Sequence, residues 1–175
     1  MKLKLLKAEI EKAINNLMPY FKVSCDELKR FRKPTIRRFL KPDEYPDHSR
    51  NVPAYSSIDN FIYFPLKEPK FIKGVFSKAV IYHESGHFIH NFVNPGMIEG
   101  VNIYLKTGKL PEGYDKLTEL VAEYGNFILN LRTDEDKKYS DGEREKIYDK
   151  YGPEFLPYLA RISLEEAIEE KIIKI

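Results

Sequence analysis

The sequence predicts an α+β fold, a mainly helical single domain with a small antiparallel sheet or hairpin packed beside two of its helices. Apolar residues recur at helical spacing through most of the 175 residues, a length that suits one domain with one core. One stretch, Val52 to Pro65, is instead aromatic and β-branched, which is typical of strands. We therefore divide the chain into a basic helical N-terminal segment (1–51), a core (52–132) and a C-terminal helical segment (133–175).

The N-terminal segment begins with an amphipathic helix that ends before Pro19. Ser24 and Glu27 have the spacing of a capping box, so a second, short helix is predicted from Asp26 to Phe31. The apolar positions of the first helix follow the helical period: Leu3, Leu6, Ile10, Ala13, Ile14 and Leu17.

The chain is basic at one end and acidic over the rest. Residues 1–41 hold twelve Lys or Arg against four Asp or Glu, whereas the remaining residues hold 17 against 23. A nucleic-acid-binding arm is one interpretation of such an end. We favour docking of the basic end on the acidic body, or a solvated surface, because no nucleic-acid-binding motif is present. Nucleic acid is therefore not an expected partner.

The core opens with a predicted hairpin. Residues 54–57 and 61–64 have strand character, and Asp59 and Asn60 lie between them as a turn. A long helix from Gly74 to Asn94 is predicted next, then a shorter segment around Met97 to Leu105, and then a helix from Tyr114 to Arg132.

The helix from Gly74 carries a His-Glu-x-x-His motif at His83, Glu84 and His87. Residues four apart lie one turn apart on the same face, so the two imidazoles can bind one Zn²⁺. Glu84 lies about 100° around the helix, beside such a metal and not on it. The remaining surface of the helix is apolar, which predicts a buried helix in which unpaired imidazoles would be costly. A pair of hydrogen-bonded core histidines is the alternative to a metal site.

A catalytic zinc site needs a third protein ligand and an open position. On the helix from Tyr114, Glu119 and Glu123 belong to a polar stripe beside the apolar one, where this helix would face the motif helix. We predict Glu119 as the third ligand, and Glu123 as the acceptor for the second N–H of a ligating histidine. Solvated helix surface is the alternative for both, and Glu99 is the weaker alternative ligand.

His90 lies on the same arc as the motif histidines but a further turn along the helix. We predict that His90 lines the cleft or makes a hydrogen bond in the shell around the ligands, and that it does not bind the metal itself. The metzincin pattern places its third histidine at position 93, which is Val93 here, so that class is excluded.

The motif helix, the hairpin upstream of it and the Glu119-x-x-x-Glu123 helix downstream together resemble the gluzincin clan of zinc metallopeptidases. The clan usually has Asp where Glu123 stands. Over residues 52–132 the chain is most similar to the soluble minimal gluzincins of thermophilic prokaryotes. His90 adds a likeness to the peptidases that cleave phage or stress-response repressors. The resemblance implies a metallopeptidase core in which Glu84 takes a proton from zinc-activated water and gives it to the leaving amine.

The resemblance also implies a peptide or protein substrate, held by edge pairing to one strand of the hairpin. A residue that stabilises the tetrahedral oxyanion is expected, and the candidates are Tyr139, Tyr148, Tyr151 and Arg132. The alternative function is a non-catalytic, metallopeptidase-like protein that binds a partner through its basic N-terminal helices.

The C-terminal segment is predicted to hold a helix near Glu143 to Tyr151 and a last helix capped by Ser163 and Glu166. The apolar residues of that last helix must pack against another surface, either of this chain or of a second copy. Since minimal gluzincins include zymogens whose C-terminal segments block the cleft, a latent form is one hypothesis and a homodimer through this helix is another. Ordinary packing on its own domain is the alternative.

The environment of the protein is predicted from three features. The longest apolar runs are too short for a membrane span and no leader is legible, so a cytoplasmic protein is expected. Cys25 is the only cysteine, which suits a reducing compartment. The sequence lacks Gln and Trp and is rich in Lys, Glu and Ile, which resembles hyperthermophile proteins, a hypothesis that a thermal midpoint would test.

Overall fold

The computed structural model describes residues 1–39, 53–68, 74–131 and 142–175 of the chain. Within these ranges it confirms the α+β prediction, because helices dominate and one small sheet accompanies them. The helices are α1 Leu3–Leu17, α2 Cys25–Arg30, α3 Lys78–Val93, α4 Pro95–Thr107, α5 Tyr114–Ile128, α6 Gly142–Tyr151, α7 Leu156–Leu159 and α8 Leu164–Glu169, with a 3₁₀ turn at Pro153–Phe155. The strands are β1 Thr35–Phe39, β2 Ala54–Ser56 and β3 Phe61–Pro65.

Local signals place most of the helix ends. Both predicted capping boxes form, Ser24 with Glu27 at α2 and Ser163 with Glu166 at α8. Asn94 ends α3 and also caps α4, since its side chain accepts a hydrogen bond from the backbone N–H of Gly96 at 3.0 Å. The shorter segment expected around Met97 to Leu105 is therefore a helix, α4, which follows α3 almost directly.

The predicted hairpin is confirmed. β2 and β3 are antiparallel, with Tyr55 opposite Ile62. In the turn between them, the Asp59 carboxylate accepts the N–H of Phe61 at 3.2 Å, and Asn60 takes a positive φ of 57°, which Asn tolerates better than most residues. These residues account for the turn locally.

The sequence does not predict β1. This strand pairs with β3 in parallel, with Thr35 opposite Phe61, so the strand order is β1-β3-β2 and the sheet is mixed, not wholly antiparallel. Arg37 and Arg38 interrupt the apolar character of β1, and the strand forms because a partner distant in sequence supplies the pairing. Within the described sheet β3 is consequently central and β2 lies at an edge.

α3 is the helix around which the core is built, and both α1 and α5 pack against it. The Asn16 amide on α1 donates to the hydroxyl of Tyr82 on α3 at 2.6 Å. The apolar face of α1 is buried in this core: Leu6, Ile10, Ala13, Ile14 and Leu17. The basic N-terminal segment therefore contributes a helix to the same core as the rest of the domain.

α3 and α5 approach closely where Gly86 faces Ala122. A Cβ at Gly86 would lie 3.0 Å from the Ala122 Cα and 3.2 Å from its carbonyl oxygen. A larger residue would therefore hold the two backbones apart. The Asn126 amide of α5 also donates to the Ala79 carbonyl oxygen of α3 at 3.0 Å. These contacts fix the position of α5, and with it Glu119, relative to α3.

The C-terminal elements pack on the same core. Arg161 donates to the backbone carbonyl oxygen of Phe21 at 2.7 Å and to both carboxylate oxygens of Glu27 at 3.1 Å, so it joins the two ends of the chain. None of the helices in the described ranges is both long enough and apolar enough to cross a membrane. The buried C-terminal residues are Leu156, Leu159, Ala160, Ile162, Ala167, Ile172 and Ile173.

Candidate metal centre

α3 places the two motif histidines one turn apart with their rings together. The Nε2 atoms of His83 and His87 lie 3.0 Å apart, and the ring planes are nearly perpendicular, at 85°. Ser77 caps the helix by accepting the Val80 N–H at 3.3 Å. The helix continues to Val93, so the spacing of four residues translates directly into this geometry.

α5 brings the Glu119 carboxylate to the same point. Its Oε2 lies 3.4 Å from His83 Nε2, and its Oε1 lies 3.2 Å from His87 Nε2. One ligand atom from each of these three residues lies within 4.8 Å of the others. The structure therefore brings the predicted third ligand onto the two histidines.

The cluster fits a divalent metal ion. Zinc binds imidazole nitrogen and carboxylate oxygen at about 2.0–2.2 Å, which places neighbouring tetrahedral ligands about 3.3 Å apart. The three separations in the cluster are 3.0, 3.2 and 3.4 Å. Two imidazoles and one carboxylate also form a donor set of catalytic zinc sites, which leave a fourth position for water. His83, His87 and Glu119 are therefore a candidate metal centre.

The electrostatics of the cluster favour a cation. Burial alone would lower the pKa of His83, but its hydrogen bond to Glu119 and the charges of Glu84, Glu119 and Glu123 raise it to about 9. Burial alone would raise the pKa of Glu119, but its hydrogen bonds to both histidines and their charges hold it well below its usual range. These carboxylates stabilise positive charge at this point, whether it is a proton or a metal ion.

Glu84 lies beside the cluster, under the edge strand of the sheet. Its side chain is buried, with 6% exposed, and its Oε2 accepts a hydrogen bond from the backbone N–H of Tyr55 at 2.6 Å. Burial raises the pKa of the Glu84 carboxyl, against the lowering effect of His83 and His87. A carboxyl with a raised pKa next to a metal site is suited to taking up and releasing a proton.

Glu123 lies one turn beyond Glu119 on α5, as predicted from the stripe. Its Oε1 lies 2.8 Å from Arg144 Nη1, and its Oε2 accepts a hydrogen bond from the Tyr148 hydroxyl at 3.3 Å. Its charge also contributes to the raised pKa of His83. A hydrogen bond from a ligating imidazole to Glu123 stays a prediction, because the contacts seen for this carboxylate are to α6.

His90 is buried on α3, with 1% of its surface exposed, and lines the cavity next to the cluster. Its Nε2 has no hydrogen-bond partner among the described residues. The side chain of Glu99, the weaker alternative ligand, lies outside the described part of the chain.

The cluster lies in an open cavity of about 570 Å³. One wall is β2 and the turn after it, and the other is formed by α4 and the start of α5. Glu84 and the three candidate ligands all line this cavity, so the centre is accessible to a molecule larger than water. The apolar and aromatic lining residues include Pro53, Tyr55, Ile58, Met97, Val101, Tyr104, Leu110 and Tyr114.

The oxyanion candidates do not line the cavity where they are described. Tyr148 is buried against the aromatic ring of Phe127, and Tyr151 stacks on Phe155. Arg132 and Tyr139 lie outside the described residues.

Sequence reasoning missed the part that Tyr55 has in the site. Its N–H binds Glu84, and its hydroxyl accepts a hydrogen bond from the Asn91 amide of α3 at 3.0 Å. Asn91 lies on the polar arc of the motif helix, and this position in the sequence could have indicated that Asn91 belongs to the site. The backbone contact has no sequence signal, because any residue at position 55 could supply the N–H.

Comparisons of the chain with protein-family models, with curated proteins and with solved structures each found no match. The likeness to gluzincins therefore rests on the motif and on the cluster. The fold and the site define a coarser class, which is an α+β domain with a two-histidine, one-glutamate candidate metal centre in an open cavity.

Proposed function

We propose that the protein is a zinc-dependent peptidase. The observation that carries the proposal is the combination of the His83, His87 and Glu119 cluster with the Glu84 carboxylate on the wall of the same cavity. Core histidines paired only with each other would not need a carboxylate from a second helix or an opening to solvent. A catalytic metal site needs both.

Each residue has a defined part in this reaction. His83, His87 and Glu119 would hold the zinc ion, which when bound lowers the pKa of a water molecule and polarises the scissile carbonyl group. Glu84 accepts the proton that water loses as its oxygen bonds to the carbonyl carbon. Glu84 then delivers that proton to the amine nitrogen as the carbon–nitrogen bond breaks, which regenerates the carboxylate.

Tyr55 holds Glu84 ready for this transfer. The Tyr55 N–H fixes Oε2, while Oε1 makes no hydrogen bond within the described residues. A carboxylate with one oxygen anchored and the other open is oriented for proton transfer without losing its capacity to accept.

The substrate we propose is an extended peptide that lies along β2. This strand is at an edge of the described sheet, and its three residues, Ala54, Tyr55 and Ser56, all line the cavity. Apart from the Tyr55 N–H, which is bonded to Glu84, an edge strand offers backbone groups to which a peptide can pair as an added strand.

The experiment that tests this proposal combines metal analysis with one substitution. Protein reconstituted with zinc and dialysed is expected to hold about one zinc ion per chain. Glu84→Gln should keep that zinc and lower the cleavage of a labelled, unfolded protein by about 10²- to 10⁴-fold. Glu165→Gln, on the exposed first turn of α8, is the matched control and should cleave like the natural protein. Absence of bound zinc, or full activity in Glu84→Gln, would contradict the proposal.

Latency is a separate hypothesis with its own test. The residues that line the cavity come from β2, α3, α4, α5 and the segments joining them, and no described residue after Glu119 is among them. If the last helix nevertheless masks the centre, removal of the chain from Ser163 onward would raise peptidase activity at a temperature where the shortened protein is folded. Unchanged or lower activity would reject latency.

A further inference from the structure

The cavity extends beyond the metal cluster to the space between α3 and α4. Its walls there are apolar, because Met97, Val101 and the ring of Tyr114 face it. Gly100 makes room for that ring, since a Cβ at this position would lie 2.3 Å from Tyr114 Cε2. The Tyr114 hydroxyl is already bonded to the Met97 carbonyl oxygen at 3.2 Å. We name this space the α3–α4 recess.

Two polar side chains of α3 that line the cavity have unsatisfied atoms. His90 Nε2 and Asn91 Oδ1 are both buried, and neither has a hydrogen-bond partner among the described residues. The other end of the Asn91 amide is used, because its Nδ2 donates to the Tyr55 hydroxyl. Both residues line the cavity. Native proteins rarely leave such atoms without a partner, so a hydrogen-bonding group that enters the recess and reaches these two atoms would be stabilised there.

The chemistry of these two atoms limits the group that fits. Burial, with a contribution from His87, lowers the pKa of His90 to about 3, so the imidazole is neutral at pH 7 and one ring nitrogen can accept. Asn91 Oδ1 only accepts. In the His90 tautomer that carries its proton on Nδ1, a group that donates a hydrogen bond without carrying charge satisfies both atoms, whereas a carboxylate would face two acceptors and an ammonium would lose its hydration against apolar walls.

We propose that the α3–α4 recess is the side-chain subsite of the peptidase, and that it selects an uncharged side chain with an apolar body and a hydrogen-bond donor at its end. Tyrosine matches this description best, and glutamine is the aliphatic counterpart. The inference rests on the proposed function, because a side chain reaches the recess only when its peptide lies across the metal centre. A site with buried polar atoms discriminates strongly against an analogue that lacks the matching group.

The first test compares cleavage of matched peptides by the zinc-loaded full chain. At one subsite position, kcat/KM should be about tenfold or more higher for Tyr than for Phe, and for Gln than for Met. In His90→Phe the ratio of kcat/KM for the Tyr peptide to that for the Phe peptide should fall to about one, whatever the absolute rates. Natural protein that cleaves both members of each pair equally, or a preference that survives in His90→Phe, would overturn the proposal.

Asn91→Leu provides a second variant in case His90→Phe does not fold, and it should also reduce the preference for Tyr. Its control is Tyr55→Phe, which removes the same Asn91–Tyr55 hydrogen bond but keeps Asn91 Oδ1. Tyr55→Phe should retain the preference. Equal loss in both variants would assign the effect to that hydrogen bond and overturn the subsite.

The second test needs no turnover. The chain has only four histidines, so ¹⁵N-histidine labelling gives few ring signals, and His90→Phe identifies the one from His90. With zinc-loaded Glu84→Gln, N-acetyl-tyrosinamide should shift that signal and N-acetyl-phenylalaninamide should not. A shift in Glu84→Gln, together with no peptidase activity in the natural protein, would keep the subsite and reject the proposed function. Activity without a shift would do the reverse, as expected if only water satisfies His90 Nε2.

Discussion

Individual residues of the centre differ in how far the sequence reveals them. His83, Glu84 and His87 follow from helical spacing alone, since the geometry of one helix fixes their relation. Prediction of Glu119 as a ligand needs a second inference, which is that the polar stripe of α5 faces the motif helix α3. The hydrogen bond from Tyr55 to Glu84 could not be predicted, because it is a backbone contact that depends on where the strand lies against the helix.

Substitution of Glu119 tests the centre at this scale. Glu119→Gln keeps the size of the side chain and a carbonyl oxygen but removes the negative charge that both histidines contact. We expect zinc affinity to fall by about tenfold or more, because even residues that only support a ligand contribute that much. Competition with a fluorescent chelator measures the change. Affinity equal to that of a Glu165→Gln control would show that Glu119 does not bind the metal.

Helices and strands were predictable where a local pattern defines them. α1 and α8 follow from apolar periodicity and a capping box respectively, signals contained within one short segment. β1 has no such signal, because Arg37 and Arg38 break its pattern and its partner β3 lies more than twenty residues away. The mixed sheet therefore depends on long-range pairing that spacing cannot reveal.

The crossing of α3 and α5 makes Gly86 a test at the scale of elements. The Cβ of Gly86→Ala would meet backbone atoms of Ala122, so the helices must separate. We expect a loss of about 1–3 kcal/mol of unfolding free energy, and weaker zinc binding because Glu119 moves with α5.

Urea unfolding and zinc titration measure both effects of Gly86→Ala. Gly142→Ala is the control. Its Cβ would meet no atom of the described residues within 4 Å, so the substitution should leave both properties nearly unchanged. Zinc affinity that stays the same in Gly86→Ala would mean that this crossing does not position Glu119.

At the scale of the whole molecule, the two ends of the chain are joined through Glu27 and Arg161. Glu27 is a half-buried residue that caps α2 and also receives two hydrogen bonds from Arg161. Burial alone would raise the pKa of Glu27, but its bonds to Ser24 and the charge of Arg161 lower it below the usual value. The N-terminal and C-terminal segments are therefore joined by this ion pair and by a shared core.

This pair predicts a pH-dependent stability. Because the pKa of Glu27 is lower in the folded state, its contribution is present above the unfolded pKa of about 4.5 and is lost as the pH falls through the folded value. Glu27→Gln should lower the unfolding free energy by about 1–2 kcal/mol at pH 7, and the difference should shrink below pH ~4.5. Urea unfolding at several pH values measures this. A difference as large at pH 3 as at pH 7, or an equal effect of Asp26→Asn, would contradict it.

The candidate ligands come from two helices that are separated in the chain by the whole of α4. A metal bound to them acts as a cross-link that closes a loop from residue 83 to residue 119, much as a disulfide would. Removal of zinc with a chelator should therefore speed amide hydrogen exchange in α4 more than in α1, which lies outside the loop. Equal protection in α4 with and without zinc would show that packing alone holds this wall of the cavity.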